Sequence, residues 1–318
     1  MSWIYIVVIA YLLNAIAITI DKFLLTKSIP NPAAYTFNIG MLNILIVLAL
    51  LPFGFFILPL SLIFLSIIAG LCFMSALYLM YTSLKHYEAS RIAPYIGSLN
   101  PIFIFILAYL FLGEKLMPNQ ISAFFLIIAG GILISIQIKN RKNIFPNLLF
   151  NRLYRFFGKK EKISLVRILS IATLSAFFFA SSYALTKYIY NSTEFLNGFI
   201  WTRFGLILGA LLLLVPKNVR NNIFKTQKKS TKKTGVIFLV GQIFGGLSFF
   251  LINYSFSLNS VTLVHALQGL QYAFLFLIVI TLSKKFPQIL EEKLTPLILT
   301  QKIIALGLIG GGLYLLVV

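Results

Sequence analysis

Ten long apolar runs, separated by short polar segments, dominate the sequence. They lie near residues 3–20, 33–51, 60–81, 89–111, 120–137, 168–186, 196–215, 235–255, 260–282 and 297–317. Each run is long enough to cross a hydrocarbon core of about 30 Å as a helix. The runs lack the alternating polarity of barrel strands, and an isolated strand in lipid would leave its backbone groups unpaired. The sequence therefore predicts an all-α integral membrane protein with ten transmembrane helices.

The composition favours a membrane protein over a soluble one. Of the 318 residues, 59% are hydrophobic and 11% are charged, whereas soluble domains average about 45–50% and about 25%. The net charge of +20 could indicate nucleic-acid binding, but the basic residues fall between the apolar runs. That placement is typical of loops that face the anionic lipids of a cytoplasmic membrane surface. We expect a multi-pass cell-membrane protein, a monomer or homodimer, that contacts lipids and binds no nucleic acid.

Lysines and arginines are distributed unevenly between the two sides of the predicted bundle. The loops that follow the first, third, fifth, seventh and ninth runs hold 23 of the 27. The other four are Lys115, Lys187, Arg203 and Lys302. Short loops rich in these residues stay in the cytoplasm. We therefore predict that the odd-numbered loops are cytoplasmic and that both termini lie outside.

Matching residues divide the chain into two related halves. Residues 114–118 (EKLMP) recur as residues 292–296 (EKLTP). Gln120 lies ten residues before Gly130, as Gln301 lies ten residues before Gly311. In the same way, Lys22 lies 30 residues before Pro52, and Lys187 lies 29 residues before Pro216. The pattern predicts two five-helix repeats, residues 1–137 and 168–318, joined by a basic cytoplasmic linker at 138–167.

An odd number of helices per repeat makes the second repeat enter the membrane from the opposite side. The two repeats are therefore predicted to have inverted topology. Carriers of that design bind substrate near the middle of the membrane, between the repeats. Within the linker, residues 144–157 mix apolar and basic side chains at helical spacing. They form either an interfacial helix or a solvated basic segment.

The first repeat carries the motifs of a known family. These are residues 101–103 (PIF), residues 112–116 (LGEKL), Gln120 and the pair Gly130 and Gly131. In order and spacing they resemble the EamA domain of the drug/metabolite transporter superfamily. The second repeat resembles it more weakly, because Glu291 precedes Glu292 where the motif has glycine.

The resemblance implies a ten-helix carrier that moves small organic solutes, often amino acids, metabolites or drugs. Members of the superfamily often place both termini in the cytoplasm. The lysine and arginine count places them outside in this chain, and we keep that prediction because short-loop charge determines orientation.

Polar residues in two of the runs form the central part of a predicted substrate site. In the run 260–282, His265, Gln268 and Gln271 share one helical face and Tyr272 lies beside it. The run 89–111 offers three more polar side chains at similar depth, namely Tyr95, Ser98 and Asn100. We predict that these two helices face each other across the substrate cavity. The alternative is that the amides only bond to neighbouring helices.

Charged and amide side chains in other runs complete the predicted site. They are Arg203, Lys22, Lys187, Asn14 and Gln242. Charges and amides at depth are costly, so they should face a wet cavity, a solute or another helix. The alternatives are that Arg203 snorkels to the interface, that the lysines merely flank their helices, and that the amides bond between helices.

Two further sets of residues favour structural roles. Glu114 and Glu292 follow apolar runs beside lysines, and we interpret them as interfacial charges rather than as coupling carboxylates. The glycine pairs four residues apart allow close helix packing. They are Gly205 with Gly209, Gly241 with Gly245, and Gly307 with Gly311.

The sequence contains no nucleotide-binding motif, one cysteine, two histidines and seven scattered acids. We therefore expect no metal, no cofactor and no enzyme activity. The predicted function is secondary transport of a small organic solute by alternating access. A lipid-carrier flippase of the same fold is an alternative, and a membrane enzyme that acts on lipid-linked substrates is a more distant one.

The predicted topology can be tested with impermeant thiol reagents in intact cells. In a background with Cys72 replaced by alanine, Asn222→Cys should resist labelling until the membrane is permeabilised, because its loop is predicted to be cytoplasmic. Asn191→Cys, in a loop predicted to be external, should be labelled at once. Labelling of Asn222→Cys in intact cells would contradict the predicted orientation and place this loop outside.

Overall fold

The computed structural model describes residues 2–27, 31–86, 89–135, 165–229, 231–283 and 296–317. Within these ranges the chain forms twelve α-helices and no strand. The helices are α1 (Ser2–Lys27), α2 (Pro32–Leu50), α3 (Leu60–His86), α4 (Ala89–Leu107), α5 (Pro118–Ser135), α6 (Leu165–Ser192), α7 (Phe195–Leu212), α8 (Lys217–Lys229), α9 (Lys232–Leu258), α10 (Val261–Ala266), α11 (Gly269–Ser283) and α12 (Pro296–Val317). Five residues of π-helix, Ala108–Leu112, extend α4.

Eight segments of the described chain are long and apolar enough to cross a membrane. One of them, Val261–Ile278, includes α10 and most of α11. The other two predicted runs form α5 and α12, whose apolar stretches are shorter, Pro118–Leu133 and Thr300–Leu316. The prediction of an all-α membrane protein is confirmed. The count of ten spans stays a prediction.

Proline and asparagine define where several helices begin. Pro32, Pro118 and Pro296 are the first residues of α2, α5 and α12, where the missing N–H costs nothing and the fixed φ suits a helix. Asn31 caps α2, because its Oδ1 accepts hydrogen bonds from the N–H groups of Ala33 (3.0 Å) and Ala34 (3.3 Å).

The loop between α7 and α9 contains a short helix that the sequence analysis did not predict. This helix, α8, is basic and amphipathic. Its Ile223 side chain is fully buried, while Lys217 and Arg220 are exposed. Gln227 Nε2 donates a hydrogen bond to Asn38 Oδ1 on α2, at 3.1 Å. The segment 144–157, for which an interfacial helix was one prediction, lies outside the described residues.

The spanning helices pack in a regular set of pairs. The most extensive pairs are α5 with α12, α3 with α6, α1 with α9, α3 with α7, α4 with α6, α2 with α7 and α1 with α11. In every one of these pairs, one helix lies within residues 1–137 and the other begins at Leu165 or later. The two halves of the chain are therefore interleaved and share their core.

Three of the six glycines predicted to allow close packing do so. A Cβ atom on Gly205 would lie 2.6 Å from the Ile67 carbonyl oxygen on α3, and one on Gly209 would lie 2.8 Å from Met74 Cβ. A Cβ on Gly241 would lie 2.8 Å from Ile20 Cγ2 on α1. By contrast, Gly307 and Gly311 of α12 have open space at that position.

Gly205→Ala should therefore destabilise the protein, because the added methyl group meets backbone atoms of α3 that cannot move independently. Overpacking of this kind costs about 1–3 kcal/mol. We expect a lower melting temperature for the purified protein in detergent. Gly311→Ala makes the same substitution in open space and should not lower it. Equal melting temperatures in the two variants would contradict this account of the α3–α7 contact.

Candidate functional site

The run 260–282 does not form the single helix that the sequence analysis assumed. It breaks between α10 and α11, at Leu267 and Gln268. There the N–H of Gln268 bonds to the carbonyl of His265, and the N–H of Gln271 bonds to the carbonyl of Gln268, both at 3.0 Å. These bonds span three residues instead of four. The helical face predicted for 265, 268 and 271 is therefore interrupted at its centre.

A side chain from α1 donates a hydrogen bond to a backbone carbonyl at the break. In a continuous helix the carbonyl of Val264 would accept from the N–H of Gln268. That N–H bonds to His265 instead, and Tyr11 Oη donates to the Val264 carbonyl at 2.9 Å. Tyr11 is 1% exposed. The phenol thus replaces the bond that the break removes, which matters where no water is available.

Asn14 and Gln271 form a second link between α1 and the broken helix. Asn14 Nδ2 donates to Gln271 Oε1 at 2.7 Å. Gln271 is buried. The structure thus brings these two predicted site residues together, and the bond between them is the interhelical one that the sequence analysis gave as the alternative.

His265 is buried beside the break with neither ring nitrogen hydrogen-bonded. Its imidazole lies 4.1 Å from the Tyr183 ring and 5.0 Å from the Phe256 ring, centroid to centroid. Gln268 Oε1 and Asn100 Oδ1 are also buried without a partner. Buried polar atoms normally have partners, and leaving one unpaired costs about 1–3 kcal/mol. These atoms are suited to receive a bound solute or water.

Arg203 is buried in α7 against two aromatic rings. Its guanidinium carbon lies 4.2 Å from the centroid of Phe199 and 4.4 Å from that of Phe249. The hydrogen bonds are long, 3.4 Å from Nη1 to Asn43 Oδ1 and 3.5 Å from Nη2 to Thr202 Oγ1, and Nε has no partner. Among the described side chains no carboxylate pairs with it. Arg203 therefore does not snorkel.

An aromatic path connects Arg203 to His265. Phe249, which covers the guanidinium, contacts Phe73 with ring centroids 4.9 Å apart. Phe73 in turn contacts Tyr183 at 6.0 Å, and Tyr183 contacts His265. The polar groups at the break and at α7 therefore belong to one aromatic-walled core between the halves of the chain.

Residues of α4 are divided between this core and the surface. Tyr95 Oη bonds to Thr173 Oγ1 of α6 at 2.9 Å, and both line an outer groove of about 520 Å³ between α4 and α6. Ser98 Oγ donates to the carbonyl of Tyr95, within α4. Tyr272 of α11 does reach α4, where its hydroxyl abuts Gly97. The hydrogen bonds of Tyr95 and Ser98 thus go to α6 and within α4.

Gln242 lies at a different site, with an acid that the sequence analysis missed. Its Nε2 donates to Asp21 Oδ1 at 3.3 Å, and Tyr35 Oη donates to the same oxygen at 2.5 Å. The Lys22 side chain lies outside the described part of the chain. A signal for Asp21 was available, since it is the single aspartate and it ends an apolar run. Tyr11 and Tyr183 had no such signal, because tyrosine is common in apolar runs.

The comparisons with known proteins agree with this architecture. Residues 1–136 match the EamA-like transporter family. The resemblance predicted from the sequence motifs is thereby confirmed for the first repeat. A solved structure described only as the crystal structure of a protein is similar in fold, with a TM-score of 0.65, 16% identity, and coverage of 98% of this chain and 97% of that chain. No curated protein matches the sequence.

The EamA-like match and the apolar helices together indicate a multi-pass membrane protein of transporter type. EamA-like proteins are transporters rather than enzymes. Among the described residues, no group of three or more His, Cys, Asp or Glu side chains could hold a metal ion.

Two opposite charges hold the junction between α9 and α10. Lys187 Nζ donates to the carbonyls of Phe256 (2.6 Å) and Asn259 (2.9 Å) at the C-terminal end of α9. Glu114 accepts from Ser260 Oγ (2.7 Å), Thr262 Oγ1 (3.0 Å) and the N–H of Val261 (3.2 Å) at the start of α10. Each charge complements the dipole of the helix end that it contacts.

These contacts refine two interpretations made from the sequence. Glu114 is more than an interfacial charge beside Lys115, because it caps a helix of the other half of the chain. Lys187 uses its ammonium group on backbone carbonyls, which favours a structural role over direct solute binding.

Glu114→Ala should destabilise the protein by about 1.5–3 kcal/mol, the range for hydrogen bonds to a charged group. The measurement is thermal unfolding in detergent. Glu194→Ala is a matched control, because Glu194 is exposed and precedes α7 without a side-chain capping bond. If both variants unfold at the same temperature as the parent, the capping role of Glu114 is wrong.

Proposed function

We propose that the protein is a secondary transporter that carries a small organic solute across the cell membrane by alternating access. The observation that supports this most directly is the break between α10 and α11. Discontinuous helices near the middle of the membrane form the binding sites of many carriers. At this break the ring nitrogens of His265 and the Oε1 atom of Gln268 are buried without partners, and His265 lies next to the Tyr183 ring.

The depth of the break fits such a site. At 1.5 Å per residue, His265 lies about 6 Å and Gln271 about 15 Å along the segment that begins at Val261. In a hydrocarbon core of about 30 Å these are one-fifth and one-half of the way through. A solute held there would be reachable from either side when the helices around it part.

The helix pairs support an inverted repeat of ten spans. If α1, α2, α3, α4 and α5 correspond to α6, α7, α9, α10–α11 and α12, then the pair α3–α6 is the counterpart of α1–α9. In the same way α4–α6 is the counterpart of α1–α11, while α5–α12 and α2–α7 are their own counterparts. A pseudo-twofold axis in the membrane plane would produce this pattern.

One pair of contacts breaks the symmetry, as alternating access requires. Gly40 and Gly205 are equivalent in the repeat, because each lies 18 residues after its matching lysine, Lys22 or Lys187. Gly205 packs against the backbone of Gly70 on α3, whereas Gly40 meets Ala210 and Met74 rather than α9. Thus α7 packs on α3 backbone to backbone, whereas α2 meets α9 through side chains such as Tyr35 and Phe238. A carrier that exposes its site to one side at a time needs such a difference.

The lining suggests the chemical class of solute. Aromatic rings provide flat apolar walls, and the imidazole, amide and guanidinium groups provide hydrogen bonds and one positive charge. A small amphipathic solute, with an apolar body and an acceptor group directed at Arg203, fits this combination best. Amino acids, related metabolites and amphipathic drugs are such solutes.

A lipid-carrier flippase is the second candidate, and the groove between α4 and α6 favours it. The groove is lined mainly by apolar side chains such as Phe103, Leu169 and Phe177, with the hydroxyls of Tyr95, Ser170 and Thr173 among them. An acyl or isoprenoid chain could lie there in contact with the bilayer. The groove is separate from the break between α10 and α11, so the two candidates use different residues.

Solute binding can be tested by thermal stabilisation of the purified protein across a panel of amino acids, other metabolites and amphipathic drugs. A solute at 100 times its dissociation constant should stabilise the protein by about 2.7 kcal/mol. Gln268→Leu should lose most of that stabilisation, because the leucine side chain cannot hydrogen-bond the solute.

Gln227→Leu makes the same substitution on the exposed surface of α8 and should respond like the parent. Stabilisation that survives in Gln268→Leu would move the site away from the break. Stabilisation by lipid-linked compounds alone would support the flippase instead.

A further inference from the structure

Asp21 is an acid at the end of a candidate membrane span. Among the described residues it is the one acid, of seven in the whole chain, that falls in a candidate span. The helix α1 continues for six residues to Lys27, so Asp21 lies about 9 Å from the end predicted to be cytoplasmic. Acids in membrane-spanning segments are rare because they are costly, and they commonly mark proton or ion sites.

The Asp21 carboxylate joins three helices through one oxygen atom. Tyr35 Oη of α2 donates to Oδ1 at 2.5 Å, and Gln242 Nε2 of α9 donates to the same atom at 3.3 Å. We name Asp21, Tyr35 and Gln242 the carboxylate latch. Hydrogen bonds to an ionised acceptor are about twice as strong as neutral ones. The strength of the latch therefore depends on the charge of Asp21.

The carboxylate latch supports the contact between α2 and α9, which few other interactions stabilise. The helices α1 and α9 pack closely at Gly241 and Ile20, independently of the carboxylate. In contrast, α2 is not among the helices that pack extensively on α9. The two meet at Tyr35 and Phe238, whose rings lie 5.5 Å apart, edge to face. If Tyr35 leaves Asp21, the contact between α2 and α9 has little other support.

Few titratable or charged groups surround Asp21. From α3, the Tyr81 ring contacts the Tyr35 ring at 5.0 Å. On α9, Lys232 begins the helix ten residues before Gln242, about 15 Å along its axis. Lys22 follows Asp21 in the sequence, and its side chain lies beyond the described atoms. The phenols of Tyr35 and Tyr81 keep their protons near neutral pH, so Asp21 is the group that titrates.

We propose that Asp21 is a proton-binding site that opens and closes the cytoplasmic gap between α2 and α9. The inference rests on the proposed transport function and names its coupling ion. Ionised Asp21 holds Tyr35 and keeps the gap closed. When the carboxylate takes a proton from hydronium, leaving water, its Oδ1 becomes a weaker acceptor, Tyr35 is released and α2 separates from α9. Return of the proton to water restores the latch.

Distance measurements between spin labels on α2 and α9 test the proposal without any solute. Leu45 and Leu239 face outward, 61% and 47% exposed, and neither belongs to the latch. Labels on Leu45→Cys and Leu239→Cys, with Cys72 replaced by alanine, report the gap in lipid nanodiscs. On acidification we expect the ratio of long to short distances to rise by about tenfold, the effect of losing one charge-assisted bond.

Two substitutions distinguish protonation of Asp21 from loss of its hydrogen bond with Tyr35. Asp21→Asn mimics the protonated acid and should show the long distance at every pH. Tyr35→Phe should do the same, while its infrared difference spectra still contain the titrating carboxyl component of Asp21, which is the part of the parent's carboxyl absorption that Asp21→Asn lacks. Glu194→Gln removes an exposed acid outside the latch and should follow the parent.

Three results would overturn the proposal: a distance ratio in the parent that does not change with pH, the same pH response in Asp21→Asn as in the parent, or a titrating carboxyl absorption in Asp21→Asn that equals that of the parent. Should Asp21→Asn fail to fold, the parent and Tyr35→Phe still decide the question. The spin-label experiment uses no solute, so its failure would not affect the evidence for solute binding from thermal stabilisation. Likewise, a failure of the thermal-stabilisation experiment would not contradict the carboxylate latch.

Discussion

Hydrocarbon offers no hydrogen-bond partners to the backbone, so the break between α10 and α11 depends on α1. Tyr11 satisfies the freed carbonyl of Val264, and Asn14 holds Gln271 just beyond the break. Tyr11, Asn14 and Asp21 are three and seven residues apart, which places all three on one face of α1. The same face therefore contacts the candidate solute site and, about 10 Å further along, the carboxylate latch. A rotation or tilt of α1 would change both together.

The lysine-poor side of the bundle is held by charges of a different kind. Lys187 and Glu114 come from opposite halves of the chain, and they meet the end of α9 and the start of α10. Their partners are backbone groups that a helix end leaves unpaired. This explains why a lysine remains on a side from which lysines are otherwise nearly absent. The Glu114 hydrogen bonds also fix the N-terminal end of α10, so that movement at the break must come from α11 or α1.

Sequence patterns predicted the spans, the polar residues at depth and the tight glycines of α7, because length, hydropathy and spacing determine these directly. The break in 260–282 could not be predicted, since hydropathy does not respond to a helix that changes its hydrogen-bond spacing inside an apolar run. Gly269 directly follows the break, but the many glycines in other spans do not break theirs. Asp21 was visible in the sequence, but its partners Tyr35 and Gln242 come from distant runs and only the fold brings them together.

The two ends of the candidate site are closed by unequal means, and this bears on the direction of opening. Where α3 meets α7, glycines bring two backbones into contact, so parting them would expose packed surface along both helices. Where α2 meets α9, the closure is made by aromatic side chains and by hydrogen bonds to one carboxylate. A change of one charge is enough to weaken the second closure and has no corresponding effect on the first. On the proposed mechanism, the α2–α9 gap therefore responds to pH first, and the α3–α7 contact opens only when a bound solute has changed the packing around the break.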